Sequence, residues 1–269
     1  MDSLGKTVWK IRSCECGENG NAKLCSILNL LQEAASLHAS QLGFSKSDFA
    51  ARGENISWVL TRLKTRIWRY PRWDEEISIV TWPRAGRKIT ALRDFELHGA
   101  DGESIGIATS EWMVLDLAAR RAVPVPQKVF ELANDVRAPV FGDETFARLK
   151  WTEPPPDAAR ASLRLRANRD DIDLNGHVNN VHYVEWFLET LPEDAAECGE
   201  CDVVFKSETF AGESVLAESV ETAPGEFIHR VCAADGREHV LAKTTRTPNR
   251  QDLQDCRDCE NPVNPANPV

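Results

Sequence analysis

The sequence predicts an α+β fold in which one structural unit occurs twice. Each half of the chain begins with a short strand pattern, Val8–Arg12 and Ser162–Arg166, followed by a polar loop, a helix-period segment and several strand-period segments. Each half also carries an Asp-Gly pair between strand-like runs, at Asp101-Gly102 and Asp235-Gly236, which is a hairpin signal. Both halves are therefore expected to contain one long helix and an antiparallel sheet.

The two helices are predicted from apolar periodicity and from signals at their ends. The first runs from about Ser26 to Leu42, has one broad apolar face and ends at Gly43. The second runs from about Asn179 to Leu191, with Asn179 or Asn180 as N-cap and Pro192 as its stop. The apolar faces consist of Ile27, Leu30, Leu31, Ala34, Ala35 and Leu37 in the first helix, and Val181, Val184, Phe187, Leu188 and Leu191 in the second.

Eight further segments have the alternation that is typical of strands. In the longest, apolar residues alternate with Arg62, Lys64 and Arg66, so one face is expected to pack on a core. The segments are Ser57–Tyr70, Glu76–Trp82, Lys88–Leu97, Ser104–Asp116, Asp202–Glu208, Ser214–Thr222, Phe227–Ala233 and Glu238–Thr245. A sheet wrapped around one long helix is the layout called a hot dog. Two copies can pair side by side into one continuous sheet, which makes a tandem double hot dog.

The predicted organisation is an N-terminal hot dog over residues 1–135, a linker over 136–160, a C-terminal hot dog over 161–248 and a tail over 249–269. The linker contains three consecutive prolines, where sheet pairing is disfavoured. The tail carries three Asn-Pro pairs and no apolar periodicity, so we expect it to be disordered.

The composition, 42% hydrophobic and 28% charged residues, is that of an ordinary globular protein. The net charge of -10 argues against nucleic acid or an anionic membrane surface as the main partner. No stretch approaches the roughly 20 apolar residues of a membrane span. The N-terminus lacks a basic-then-apolar leader, so we expect a cytoplasmic protein with reduced thiols.

Cysteine spacing leaves a metal site as an alternative. Four of the eight cysteines lie in two C-x-x-C pairs, Cys198–Cys201 and Cys256–Cys259. The pairs are explained either by a structural zinc site or by chance clustering. Chance is favoured because the pairs lie far apart and the second is in the polar tail. There is also no phosphate-cradling glycine loop, so we expect neither metal nor cofactor.

The segment DIDLNGHVNNVHYVEW, residues 171–186, carries the clearest chemical signal. Asp173, Asn175 and His177 alternate, and in an extended segment alternate side chains point to one side. The helix behind them offers free backbone N–H groups, near Val178–Asn180, and the positive end of a dipole. This combination indicates hydrolysis at a carbonyl carbon. The equivalent first-half loop, ECGENGNAKLC, has no histidine, so one catalytic site per chain is expected.

The same segment closely resembles the active-site segment of acyl-acyl-carrier-protein thioesterases, known from plant plastids and from bacteria. Three upstream segments, LLQEAASLHASQLG, RYPRWDEEISIVTWP and TSEWMVLDLAARRAVPVP, resemble family segments in the family order. The resemblance covers roughly Val8 to Thr247. It implies a tandem hot-dog enzyme that hydrolyses fatty acyl carrier protein to free fatty acid. Because plant members carry a plastid leader and none is visible here, a bacterial member is expected.

The resemblance maps the family motif onto Asp173, Asn175 and His177, and it places Glu208, within FKSETFAGESVL, at the family's glutamate. Thr209 stands where many relatives have cysteine. The chain therefore cannot use that residue for the Cys-His-Asn mechanism proposed for the family. A carboxylate-centred mechanism remains, in which Asp173 activates water or attacks the thioester itself.

All four residues have both functional and structural interpretations. His177 would position the water, relay a proton or orient the thioester. Asn175 would hold the thioester or Asp173, and Glu208 would bind water or orient His177. The competing interpretations are a capping aspartate, a turn asparagine, a structural histidine and a solvent-facing strand glutamate.

Acyl carrier protein carrying a fatty acyl chain is the expected partner, and because it is acidic it needs a basic surface. The candidate cluster consists of Arg62, Lys64, Arg66, Arg69, Arg72, Arg84, Arg87 and Lys88, although a solvated strand face explains these residues as well. The alternatives are a hot-dog acyl-CoA thioesterase, a non-catalytic acyl-binding module and a hydratase. We expect a monomer or a homodimer.

Overall fold

In the computed structural model, which describes residues 3–133, 137–142, 146–154, 160–191 and 197–246, the strands form one antiparallel sheet of eleven strands. The first half contributes β1 (Gly5–Lys10), α1 (Leu24–Gln41), α2 (Lys46–Ala51), β2 (Ile56–Ile67), β3 (Glu76–Arg84), β4 (Thr90–His98), β5 (Ser104–Asp116), β6 (Arg121–Val123) and α3 (Gln127–Leu132). The second half contributes β7 (Arg160–Arg166), α4 (Asn180–Leu188), β8 (Cys198–Phe205), β9 (Ser214–Ala223), β10 (Glu226–Ala233) and β11 (Glu238–Arg246).

The strand order is β1-β3-β4-β5-β2-β8-β11-β10-β9-β7, with β6 beside β5. The strands of the second half therefore follow one another in the reverse of the order found in the first half. The two halves join where β2 pairs with β8. This confirms the predicted α+β fold with one long helix and a large antiparallel sheet. The domain boundaries stay predictions, and residues 249–269 lie outside the described residues.

The two helices lie on the same face of the sheet and share one apolar core. In α1, eight residues are buried, because apolar side chains recur at helical spacing, and the helix ends just before Gly43, whose φ is +77°. Leu37 was expected on the apolar face but is exposed. In α4, Asn179 is the N-cap and accepts a hydrogen bond from the N–H of Val181.

Helix α4 is shorter than predicted at its C-terminal end. It stops at Leu188, and the N–H groups of Thr190 and Leu191 bond to carbonyls three residues back, which is a tightened last turn rather than a further α-helical one. The predicted stop, Pro192, lies outside the described residues. The short elements α2, α3 and β6 were not predicted, because each has six residues or fewer and too little periodicity.

Strand β8 occupies Cys198–Phe205, whereas the sequence predicted Asp202–Glu208. The difference arises because β8 lies at the seam and pairs with β2 on one side and β11 on the other. After Phe205 the chain leaves the sheet, so Glu208 lies in a loop and not in a strand.

The three cations on the polar face of β2 are paired with carboxylates of β8. Arg62 is only 8% exposed and donates two hydrogen bonds to Asp202, with Nε–Oδ1 at 2.8 Å and Nη2–Oδ2 at 2.6 Å. Lys64 and Arg66 both contact Glu200. Rings from the segment between the halves cover these cations: Phe146 covers Arg62, and Phe141 covers Lys64 and Arg66. The three cations therefore join the halves, and the predicted docking role of their cluster stays a prediction. Among the described residues, no helix combines the length and apolarity needed to cross a bilayer.

Candidate active site

The three motif residues lie on a tight turn ahead of α4, not on an extended segment as predicted. An isolated bridge between Ile172 and Val178 closes the turn, and the N–H of Asp173 donates to the carbonyl of His177 at 3.0 Å. The chain reverses at Gly176, whose φ of +86° is accessible to glycine without steric penalty. The side chains converge because of this reversal and not because of strand alternation.

The imidazole of His177 lies between two carboxylates. Its Nδ1 is 3.9 Å from Oδ1 of Asp173, and its Nε2 is 3.7 Å from Oε1 of Glu208. The side chains of all three residues are between 22% and 28% exposed, so water reaches them. Asn175 fixes the aspartate: its backbone N–H donates to Oδ1 at 2.8 Å and its Nδ2 to Oδ2 at 3.2 Å. All four predicted site residues are thus brought together.

Glu208 reaches the turn because the loop after β8 is bonded to it. The N–H of Val178 donates to the carbonyl of Thr209 at 2.9 Å, which places the preceding glutamate beside His177. Thr209 itself is fully buried and is not part of the cavity lining.

Two cationic residues of the first half approach the site and were not predicted. Nη2 of Arg120 donates to Oε2 of Glu208 at 2.5 Å, and Nζ of Lys46 lies 3.5 Å from Oδ1 of Asn175. Both lie far from the motif in sequence, and no spacing or periodicity connects them with it. The only signal was that Arg120 falls within one of the segments that resemble the family.

The start of α4 offers fewer free N–H groups than predicted. The N–H of Val178 bonds to Thr209 and that of Asn179 bonds to the carbonyl of Asp171 at 2.9 Å. Within the described part of the chain, the N–H of Asn180, the first residue of α4, has no acceptor. Asn180 also lines the cavity, so one backbone donor is available at the positive end of the helix.

A cavity of about 1070 Å³ is lined by both halves. The turn and the Glu208 loop line one part, and α1, β2, β4 and β5 supply apolar walls. These wall residues are Ala35, Ala39, Leu42, Trp58, Leu60, Ala91 and Trp112. Tyr183 also lines the cavity, and burial raises its pKa to about 12, so the phenol is neutral at physiological pH. A mostly apolar cavity with a few polar groups at one place is typical of small-molecule sites.

The described residues contain no group of three or more histidine, cysteine, aspartate or glutamate side chains arranged to hold a metal ion. Cys198 and Cys201 are buried thiols of β8, and burial raises the pKa of Cys198 to about 12. The second C-x-x-C pair, Cys256–Cys259, lies outside the described residues.

Both halves of the chain match models of one protein family. Residues 3–133 match the acyl-ACP thioesterase N-terminal domain, and residues 155–247 match the acyl-ACP thioesterase C-terminal domain. Oleoyl-acyl carrier protein thioesterase 2 of Arabidopsis thaliana is 33% identical over 248 residues, which is 85% of this chain and 68% of the relative. A palmitoyl-acyl carrier protein thioesterase of Cuphea hookeriana is 30% identical over 259 residues, which is 89% of this chain and 61% of the relative. The chain thus spans roughly two thirds of the length of these plant relatives.

Solved structures give the same fold. An acyl-ACP thioesterase from Bacteroides thetaiotaomicron superposes with a TM-score of 0.80 at 25% identity, covering 91% of this chain and 98% of that one. A 12:0-ACP thioesterase from Umbellularia californica also gives 0.80, at 23% identity, with 93% and 99% covered. The predicted hot-dog fold is confirmed by these likenesses.

Proposed function

This chain belongs to the acyl-acyl-carrier-protein thioesterase family, and on that premise we propose that it hydrolyses fatty acyl carrier protein to free fatty acid and carrier protein. The observation that carries the proposal is the placement of His177 between Asp173 and Glu208 on the wall of an apolar cavity. Hydrolysis of a thioester needs an activated water and stabilisation of the oxyanion, because a thiolate leaves readily without strong acid assistance.

In the mechanism we propose, Asp173 is the general base. Both of its oxygens accept hydrogen bonds from Asn175, so the carboxylate is held in one orientation toward the imidazole. Oδ1 of Asp173 and Nδ1 of His177 are 3.9 Å apart, which is too far for a direct hydrogen bond. A water molecule between them could bond to both, lose its proton to Asp173 and attack the carbonyl carbon. The tetrahedral oxyanion then collapses, the carbon–sulfur bond breaks, and the leaving thiolate takes the proton from Asp173, which restores the base. Direct attack by Asp173 remains the alternative.

The oxyanion that forms during this attack requires a donor. Asn180 lines the same cavity at the start of α4, and its N–H has no protein acceptor among the described residues. A preorganised donor of this kind is typically worth about a hundredfold or more in rate, and the helix dipole adds to it. We assign the oxyanion to this group.

The edge of the cavity carries features that suit a carrier protein. Leu174 is 90% exposed and Phe210 is 48% exposed, and both line the cavity beside the turn. Lys46 and Arg237 line it too, and the described residues give neither a carboxylate partner within 4 Å. On a chain of net charge -10, cations at this edge favour an anionic partner such as a phosphopantetheine arm on an acidic carrier. We therefore propose this edge, in preference to Arg62, Lys64 and Arg66 of β2, as the docking surface for the carrier.

Coenzyme A ends in the same phosphopantetheine arm, so an acyl-CoA thioesterase is the second candidate. The test compares one acyl chain on carrier protein and on coenzyme A, with free fatty acid and free thiol as readouts. We expect kcat/KM to be at least about tenfold higher for the carrier substrate, equivalent to about 1.4 kcal/mol of added transition-state binding.

The inactive control is Asp173→Asn, which keeps the shape of the side chain but removes the base. Equal or better turnover of the coenzyme A substrate would reverse the assignment of the carrier. If the wild-type protein releases thiol from neither substrate, the chain is not a thioesterase and the acyl-binding module becomes the favoured function. The cytoplasmic location and the monomeric or homodimeric state stay predictions.

A further inference from the structure

One contact of the site comes from the half of the chain that has no catalytic turn. Arg120 lies in the turn between β5 and β6, and its Nη2 donates to Oε2 of Glu208 at 2.5 Å. The other oxygen of that carboxylate, Oε1, is the one that lies 3.7 Å from Nε2 of His177. One carboxylate therefore bridges a cation of the first half and the imidazole of the second.

The backbone at Arg120 indicates that the side chain, and not the turn, explains the arginine. Its φ is +49°, a left-handed conformation that disfavours residues with a Cβ and suits glycine or asparagine. The turn is closed without the guanidinium, since Oδ1 of Asp116 accepts hydrogen bonds from the N–H groups of Ala118 and Ala119. A residue that is unfavourable for its backbone at a functional site points to a role for its side chain.

The position of Glu208 explains why a second contact matters. It lies on a loop three residues beyond the end of β8, and its side chain is 28% exposed. Two other cations, Lys206 and Arg237, line the same cavity, and Lys206 is already paired with Glu238, its Nζ donating to Oε2 at 2.6 Å. Without a fixed partner, the Glu208 carboxylate is free to rotate away from His177.

We propose that Arg120 is a positioning residue for the hydrolysis, which holds Glu208 so that Oε1 stays directed at His177. The inference rests on the proposed function. It makes the first half a contributor to catalysis and not only the wall of the acyl cavity. Reacting groups must be held within a fraction of an ångström of the productive geometry, so losing the contact lowers the rate of the chemical step and not the binding of substrate.

The experiment measures kcat and KM of purified variants with one carrier-bound acyl substrate. For Arg120→Gln we expect kcat to fall about tenfold, with KM within about twofold of wild type. Arg120→Lys should recover kcat to within about threefold, because one charged contact to Oε2 is retained. The matched control is Arg121→Gln: this neighbour is exposed in β6 and is absent from the cavity lining, so its variant should behave as wild type.

Arg120→Gly separates positioning from folding. Glycine relieves the left-handed backbone, so the thermal midpoint should not fall below that of wild type while kcat falls as in Arg120→Gln. In a Glu208→Ala background the arginine has nothing to hold, so adding Arg120→Gln should change kcat by less than about twofold.

Three results would overturn the inference. Full kcat in Arg120→Gln contradicts it directly. A raised KM with unchanged kcat makes Arg120 a docking cation. A second tenfold loss in the Glu208→Ala background shows that it acts on the substrate itself. A wild-type protein that releases no fatty acid removes the proposed function and this inference together, whereas an active wild type with an equally active Arg120→Gln removes only the inference.

Discussion

The two halves of the molecule build the same turn and use it differently. In the first half an isolated bridge joins Cys16 to Ala22, and in the second a bridge of the same spacing joins Ile172 to Val178. A glycine with positive φ lies four residues into each turn, at +78° for Gly20 and +86° for Gly176. The backbone of the catalytic turn is therefore a property of the repeated unit and does not depend on catalysis.

The side chains on the two turns differ at the positions that matter for chemistry. Gly17 occupies the position of Asp173, and Asn21 occupies that of His177. Asn21 donates to Glu197 at 2.8 Å, and no residue of this turn lines the cavity. A repeated backbone thus places side chains at equivalent positions in both halves. Catalysis also requires residues that can transfer or hold protons at those positions, and a cavity beside them.

The space beneath the helices differs in the same way. In the first half α1 presents Ala35 and Ala39 to the cavity. In the second half Phe187 of α4 stacks on His229 of β10 with ring centroids 4.4 Å apart, and the imidazole bonds to Ser219 and Thr244. Burial lowers the pKa of His229 to about 3, so the ring is a neutral part of the packing. The space beneath α4 is therefore filled at Phe187, whereas part of the cavity lies against α1.

The largest effect should come from making the second turn resemble the first. His177→Asn introduces the residue that the first half carries at this position, so the fold should persist while the imidazole that holds the attacking water beside Asp173 is lost. General acid–base catalysis typically contributes about a hundredfold or more and requires this placement of the water, so we expect a kcat loss of that size in fatty acid release. The reciprocal change, Asn21→His, is the matched control and should leave kcat unchanged. Substantial activity in His177→Asn would return His177 to a structural role.

Sequence reasoning located this site better than it explained it. Residue types and the family resemblance identified Asp173, Asn175, His177 and Glu208, and the structure brings these four together. The stated reason, strand alternation, was wrong because a glycine-dependent reversal produces the convergence. Periodicity reports the average direction of a segment and cannot detect a five-residue turn.

The seam between the halves shows a second limit of the sequence. Alternation in β2 correctly separated the buried Leu63 and Ile67 from a polar face. What the polar side chains contact, however, depends on β8, more than 130 residues away in the sequence. No local pattern reveals that Arg62 meets Asp202. Helices and most strands were predictable because their periodicity is local, whereas the seam and the contact of Arg120 depend on tertiary pairing.

Breaking that seam should change stability and leave the rate of the folded enzyme unchanged. Arg62→Gln leaves the carboxylate of Asp202 buried without its charged partner, and breaking a buried pair costs about 3 kcal/mol or somewhat more. We expect that decrease in the free energy of unfolding, measured by denaturant titration, with KM for carrier substrate unchanged in the folded enzyme. The exposed pair of Lys10 and Asp74 provides the comparison, since Lys10→Gln should change stability little. An increase in KM without loss of stability would restore Arg62 as a docking residue.

The smallest effect should appear in substrate choice and tests whether the part of the cavity against α1 holds the acyl chain. Ala39→Phe adds a ring to the wall that α1 presents to the cavity, so longer chains should lose access before shorter ones. Steric differences in apolar pockets are worth about 1 to 3 kcal/mol, so we expect the long-to-short ratio of kcat/KM to fall about tenfold across a panel of carrier-bound chain lengths. Ser40→Phe places the same ring on the exposed next residue of α1, outside the cavity lining, and should keep the wild-type profile. If both variants change the profile equally, or neither does, the acyl chain is bound elsewhere and the division of roles between the two halves is wrong.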